Sequence, residues 1–250
     1  MRILAEREGL FGPIRVMERQ SDRARLYCIN ASVQTMIRAD GVSVFGYIHA
    51  AKLLVEPAQS VLIVGGGGGS LATMLARRGK RVTVVDVDPA AEELARTYFD
   101  LDERVEWVTA GALRFIAGSG LTFDGVVIDA CDADGLIDPF SNAATLECIL
   151  AKACPNGSLV INLVHEDDAP PRGEHLARRL AERGLSASLF RAEDGWEGNE
   201  VLHVRARGKT DTLVMRDLDG RPGEVLTYLM SLRAVTPLTP TLTLHTHVAR

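Results

Sequence analysis

Five consecutive glycines, Gly65 to Gly69, constrain this chain more than any other stretch. They follow an apolar run of strand-forming residues, Val61 to Val64, and precede a helical pattern with Leu71, Met74 and Leu75 on one face. Glycine at a strand-to-helix turn lets the backbone come close to a ligand, because no Cβ intervenes and positive φ costs little. The helix that follows points its free N–H groups at whatever lies in the turn. A flexible linker has a similar composition, but a linker does not join a buried strand to an amphipathic helix. The stretch reads as a nucleoside-binding loop.

The spacing narrows the ligand. The dinucleotide fingerprint G-x-G-x-x-G needs a third glycine for helix–strand packing. That position is Ser70 counted from Gly65, or Leu71 counted from Gly66. G-x-G-x-G fits completely at Gly65, Gly67 and Gly69, the loop of enzymes that use S-adenosylmethionine and its relatives. A second strand pattern, Arg81 to Asp86, ends in a carboxylate suited to bind both ribose hydroxyls.

A chain of 250 residues can bury an α/β core with room for one small extra unit. Its net charge of −5 argues against a nucleic-acid partner, which would require clustered Lys and Arg. Cys28, Cys131, Cys148 and Cys154 lack C-x-x-C spacing, and no carboxylate–His cluster has metal spacing, so neither a metal nor a redox pair is expected. The opening residues lack the apolar core of a signal peptide and no run is long enough to span a membrane, so a cytoplasmic protein is expected.

Taken in order, residues 1–58 read as a small antiparallel β unit followed by a linking helix. Strand patterns at Ile14–Glu18, Arg25–Ile29 and Val33–Ile37 are separated by turn signals, and a helix covers Tyr47 to Leu54. From 59 to 208 strands alternate with helices, which implies a Rossmann-like α/β domain with a mainly parallel, seven-stranded sheet. Asp88-Pro89 is an N-cap followed by proline at the first helical position. Residues 209–250 form a C-terminal extension with a helix predicted over Pro222 to Arg233.

Several segments together resemble the spermidine synthase (polyamine aminopropyltransferase) family, in particular its synthase-like branch. Val61-Leu-Ile-Val-Gly-Gly-Gly-Gly-Gly-Ser-Leu is similar to the family's VLIIGGGDGGTL, and Val84-Val-Asp-Val-Asp-Pro89 to its VEIDP. Ile128-Asp-Ala-Cys-Asp132 resembles its catalytic D-S-S-D, and the unit holding Phe11-Gly-Pro-Ile-Arg-Val16 resembles its N-terminal hairpin domain. The resemblance implies a fold of S-adenosylmethionine-dependent transferases, a donor that is S-adenosylmethionine or its decarboxylated form, a small-molecule amine acceptor and a homodimer. It implies Asp129, Asp132 and Tyr47 as catalytic residues, and Gln34, Gly65, Gly66, Gly67, Gly69, Asp86, Ala110, Gly111 and Asp129 as residues around the nucleoside.

Three positions depart from the family pattern. Gly68 stands where the synthases carry an Asp that holds the donor's ammonium, Gly111 where an Asp binds the adenine amino group, and His49 where a Glu meets the amine. Loss of the first carboxylate is expected to favour intact S-adenosylmethionine, whose carboxylate suits free backbone N–H groups. Asp129 would orient the acceptor amine and take its proton, or bind the donor's ammonium, and Asp132 could hold the same amine, although Asp-Ala-Cys-Asp-Ala-Asp-Gly is also good turn sequence. His49 is expected to be a satisfied core or surface histidine more often than a base. Three functions stay open: an aminopropyl-type transferase, a methyltransferase, and a non-catalytic nucleoside-binding module.

Overall fold

A computed structural model describes residues 1–132, 135–164, 172–192, 198–206 and 223–235. The chain begins with four antiparallel strands, β1 (Arg2–Gly9), β2 (Gly12–Glu18), β3 (Arg25–Ile29) and β4 (Ser32–Ile37), paired in sequence order. Helix α1 (Gly46–Leu54) leads to β5 (Ser60–Val64), α2 (Ser70–Ala76), β6 (Arg81–Asp86), α3 (Pro89–Tyr98), β7 (Glu106–Thr109), α4 (Ala112–Ser119) and β8 (Gly125–Ile128). A two-residue pair, β9 (Cys131–Asp132) and β10 (Gly135–Leu136), precedes α5 (Ala143–Ala153), β11 (Ser158–Val164) and α6 (Arg172–Glu182). The described chain closes with β12 (Leu185–Ala192), β13 (Asn199–Ala206), α7 (Gly223–Ser231) and β14 (Leu232–Ala234).

The large sheet runs β14-β12-β13-β11-β8-β5-β6-β7. Its five strands from β11 to β7 are parallel, and β12, β13 and β14 join antiparallel at one side. Alternation along β5 explains why an unbroken apolar run was needed. Val61 and Ile63 face a core layer shared with α1, α2 and α7, whereas Leu62 and Val64 face a second layer shared with α4, α5 and α6. Among the described residues no helix is long and apolar enough to cross a membrane.

The sheet has eight strands rather than the expected seven, because β14 from the C-terminal region pairs with β12. That region is therefore built into the main domain through α7 and β14, although residues 207–222 and 236–250 lie outside the described residues. Helix α1, assigned from sequence to the N-terminal unit, packs in the main core with Val61, Val127 and Val160. Strand β1 and helix α4 were not anticipated. Only Ala5 of β1 is buried and only Ile116 of α4, so neither leaves a clear apolar period.

The N-terminal sheet docks on α3 through Ile14, Val16, Tyr27, Leu94 and Phe99. Tyr27 and Phe99 meet edge to face with ring centroids 6.0 Å apart, a favoured aromatic geometry. Asp88 fastens the hairpin and the helix with one carboxylate. Its Oδ1 accepts from the Ala90 N–H at 2.9 Å as the N-cap of α3, and its Oδ2 accepts from the Leu10 N–H at 2.8 Å in the β1–β2 turn. Replacing it, Asp88→Ala, removes the cap and strands the Leu10 donor. Urea denaturation should show a loss of about 1.5–3 kcal/mol, more than a cap alone, with the slope of the transition unchanged.

Candidate functional site

The C-terminal ends of β5, β6 and β8 open into a cavity of about 370 Å3. The glycine loop forms its floor. Gly65 adopts φ +86 and turns the chain beside β8, where a Cβ would strike the Asp129 carbonyl. The wall opposite belongs to the N-terminal sheet, through Phe11, Tyr27, Ile29, Gln34 and Thr35. Val87, Ala110, Gly111, Leu113 and Phe140 complete a mostly apolar rim. An apolar cleft with a few convergent polar groups suits a nucleoside.

Most of the predicted nucleoside residues meet here: Gln34, Gly65, Gly66, Gly67, Asp86, Ala110, Gly111 and Asp129 all border the cavity. Gly69 does not. It is the left-handed cap before α2, φ +74, and a Cβ there would sit 2.6 Å from Leu101 Cδ1, so its role is to start the helix. Asp86 accepts the Gly66 N–H at Oδ2, 2.7 Å, and the Asp88 N–H at Oδ1, 2.9 Å. A carboxylate has about four acceptor sites, so two remain for ribose hydroxyls while the backbone fixes its orientation. At Gly111, where the family pattern has an acid, the Cβ position meets nothing within 4 Å, so the cavity is open there.

Gly68 is not the donor-tail position its sequence place implied. Its Cβ would point at Phe99 Cδ1, 2.9 Å, and Thr35 Cγ2, 3.0 Å, away from the cavity. Its N–H is also engaged, donating to Thr35 Oγ1 at 2.9 Å, as the Gly66 N–H is by Asp86. A side chain at Gly68 would meet Phe99 and Thr35 first, so the bare glycine does not by itself favour intact S-adenosylmethionine.

Asp129 follows β8 directly and its N–H donates to the Val64 carbonyl at 2.8 Å. Its carboxylate accepts from Asn162 Nδ2 at 2.7 Å and from the Tyr47 hydroxyl at 3.5 Å. Burial raises its pKa to about 6, and the hydrogen bonds from Asn162 and Tyr47 oppose that rise by stabilising the charged form. Tyr47 is buried on α1 and reaches the site through this contact. The backbone of Asp132 pairs with Gly135, and its side chain lies outside the described residues. His49 is 2 % exposed and bonded through Nε2 to the Ser43 carbonyl at 2.9 Å, a core histidine with no share in the cavity. Asn162 was missed from the sequence. A lone polar residue within the apolar strand Ser158–Val164 was the available signal, since a buried amide must find a partner. Among the described residues no group of three or more His, Cys, Asp or Glu is arranged to hold a metal ion.

A Rossmann-like sheet, a glycine floor and an acid at the end of the second strand define a fold of the S-adenosylmethionine-dependent transferase type. A family model described as "Methyltransferase domain" matches residues 61–157. The chain is 28% identical over 181 residues to polyamine aminopropyltransferase 1 of Streptomyces coelicolor, covering 68% of this chain and 34% of that protein. It is 29% identical over 171 residues to the polyamine aminopropyltransferase of Mycobacterium tuberculosis, covering 64% of this chain and 32% of that one. The chain thus spans about a third of the length of these curated relatives. In fold it is similar over the whole of both chains to a probable spermidine synthase from Corynebacterium glutamicum, TM-score 0.72 at 16% identity. It is also similar to the spermidine synthase of Thermotoga maritima, TM-score 0.62 at 19% identity, over 83% of this chain and 73% of that one. By sequence the chain is similar to polyamine aminopropyltransferases, and by fold to spermidine synthases.

Two substitutions test this geometry. Asp86→Ala should weaken methylthioadenosine by about 2–4 kcal/mol in calorimetric titration, because charge-assisted bonds to the ribose and the tie to Gly66 go together. Gly68→Asp should act on stability instead of donor choice. Its new side chain must displace Phe99, lowering the unfolding free energy by about 1–3 kcal/mol while the ratio of affinities for the two donors stays the same.

Proposed function

We propose that the protein moves an aminopropyl-type group from an S-adenosylmethionine-derived sulfonium to a small-molecule amine. The observation that carries this reading is Asp129, a carboxylate with a raised pKa at the edge of the nucleoside cavity, held by Asn162 and Tyr47. The N-terminal sheet supports it too, since that wall of the cavity is a synthase-like addition to the transferase fold.

Gly65 to Gly67, Asp86 and Gln34 would hold the nucleoside part of the donor, and the sulfonium supplies an electrophilic carbon with a neutral leaving group. Asp129 first pairs with the acceptor's ammonium and takes one of its protons, which frees the nitrogen lone pair in line with the sulfonium carbon. As that lone pair bonds to the carbon beside sulfur, the carbon–sulfur pair passes to sulfur, which leaves as a neutral thioether. The product amine keeps the positive charge and Asp129 the proton, so charge and atoms balance. A carboxylate with a pKa of about 6 is mostly ionised at neutral pH and is a stronger base than an ordinary one.

The runner-up is methyl transfer from intact S-adenosylmethionine, favoured by the methyltransferase model over residues 61–157 and by 32% identity over 142 residues to the eEF1A lysine and N-terminal methyltransferase homolog of Drosophila melanogaster. Incubation with each donor and a panel of amines separates the two. Methylthioadenosine as product marks aminopropyl transfer, S-adenosylhomocysteine marks methyl transfer, and neither product with any amine favours a nucleoside-binding module.

Asp129→Asn should keep methylthioadenosine affinity and lose at least about 100-fold in turnover. Wild-type turnover should rise with pH through about 6, as the base form appears, and level off above. Stability should move the other way. A carboxyl whose folded pKa lies above its unfolded value favours folding most below the unfolded value, and that contribution is lost as pH rises through the folded one. At pH 7.5 Asp129→Asn should therefore unfold at higher temperature than wild type, by about 1–2 kcal/mol in stability, with the gain vanishing near pH 4.

A further inference from the structure

We infer that the C-terminal helix α7 positions Asp129, with Tyr228 holding in place both side chains that bond its carboxylate. This rests on Asp129 being the working acid of the proposed transfer. One arm runs across the sheet. Asn162 and Asn199 are diagonal neighbours on the antiparallel pair β11–β13, where Asn162 faces Val201 and Asn199 faces Val164. Asn199 Nδ2 donates to Asn162 Oδ1 at 2.9 Å, and Asn162 Nδ2 donates to Asp129 Oδ1 at 2.7 Å. The Tyr228 hydroxyl donates to the Asn199 carbonyl at 3.1 Å, fixing the start of β13.

The orientation of Asn162 follows from this chain of donors. With Oδ1 taken by Asn199, the amide can present only its N–H to Asp129. Turned over, it would set a carbonyl oxygen against the carboxylate and stabilise the protonated acid instead. The second arm is steric. The ring of Tyr228 lies directly on Gly46, where any Cβ would strike it, and Gly46 opens α1 one residue before Tyr47. Helix α7 thus bears on Tyr47 through α1 and on Asn162 through Asn199. Tyr228 and Asn162 are 3 % and 6 % exposed, so neither arm is exchanged readily for water.

Few other groups compete for control of the carboxylate. The small pocket beneath it is lined by uncharged residues of α1, α2, β8, β11 and β13, Tyr47 and Asn162 among them. Asp86, Asp88, Cys131 and Arg114 border the same cavity, and the side chain of Asp132 lies outside the described residues. On α1, His49 bonds to the Ser43 carbonyl and Lys52 is buried, and on β13 Glu200 pairs with Arg191.

The test is direct titration of the Asp129 carboxyl carbon by NMR, which needs no turnover, in wild type, Asn199→Leu and the milder Tyr228→Phe. Asn199→Leu should raise the midpoint by about 0.5–1 unit, because Asn162 is freed to turn, and Tyr228→Phe should move it the same way by less. The acid limb of the pH–rate profile should shift by the same amount. An unmoved midpoint in both variants, each folded by its unfolding transition, overturns the inference. If Asn199→Leu does not fold, Tyr228→Phe decides alone. A shifted midpoint with no donor turned over by any amine would uphold the positioning and reject the transfer reading.

Discussion

The glycine loop is a run of backbone donors that must be satisfied, and the rest of the structure depends on how they are. The Gly65 N–H goes to the Val85 carbonyl, the Gly66 N–H to Asp86, the Gly68 N–H to Thr35 and the Gly69 N–H back to Gly66. Three of these bonds tie the loop outward, two to β6, by its backbone and by the acid at its end, and one to the N-terminal sheet by a hydroxyl, while the fourth closes the loop on itself. A flexible sequence becomes a rigid floor because leaving buried donors unpaired would cost more than ordering the glycines. The cavity exists because these partners converge.

That convergence gives the N-terminal sheet a structural part in the site. Thr35 anchors the loop, Gln34 and Ile29 face the cavity, and the Tyr27–Phe99 contact locks the sheet to α3 behind Gly68. The tip of the first hairpin, with Phe11, is held over the rim by Asp88. A transferase lacking this unit would have the same floor and the same acid at the end of β6 but no wall at this edge.

Burial at the other end of the cavity accounts for the raised pKa of Asp129. Asp129 stands just past a fully buried strand, so its carboxylate is partly desolvated, and it keeps its charge by bonding to an amide and a phenol. Those partners come from β11 and α1, on either side of the sheet's opening. Behind them pack β13, through Asn199, and α7, through Tyr228.

Much of this was legible in the sequence. Period and turn signals located β5, β6, β11 and α5, and Asp88-Pro89 marked the start of α3, because such signals act within a few residues. The glycine spacing and Asp86 located the floor of the cavity for the same reason, since a strand, a tight turn and a helix N-terminus are local. Side-chain direction was not local. Gly68 points at Phe99 and Gly69 at Leu101, contacts 31 and 32 residues away that decide which glycines line the cavity. Strand β1 was hidden because an edge strand buries little, and the link from Asp129 through Asn162 and Asn199 to Tyr228 spans elements joined only by the fold. The sequence by itself determined a Rossmann-like chain with a glycine loop after β5 and an acid at the end of β8. Tertiary structure alone decided which backbone donors are free, which residues enclose the ligand and what surrounds the acid, because burial and hydrogen-bond partners are properties of packed neighbours.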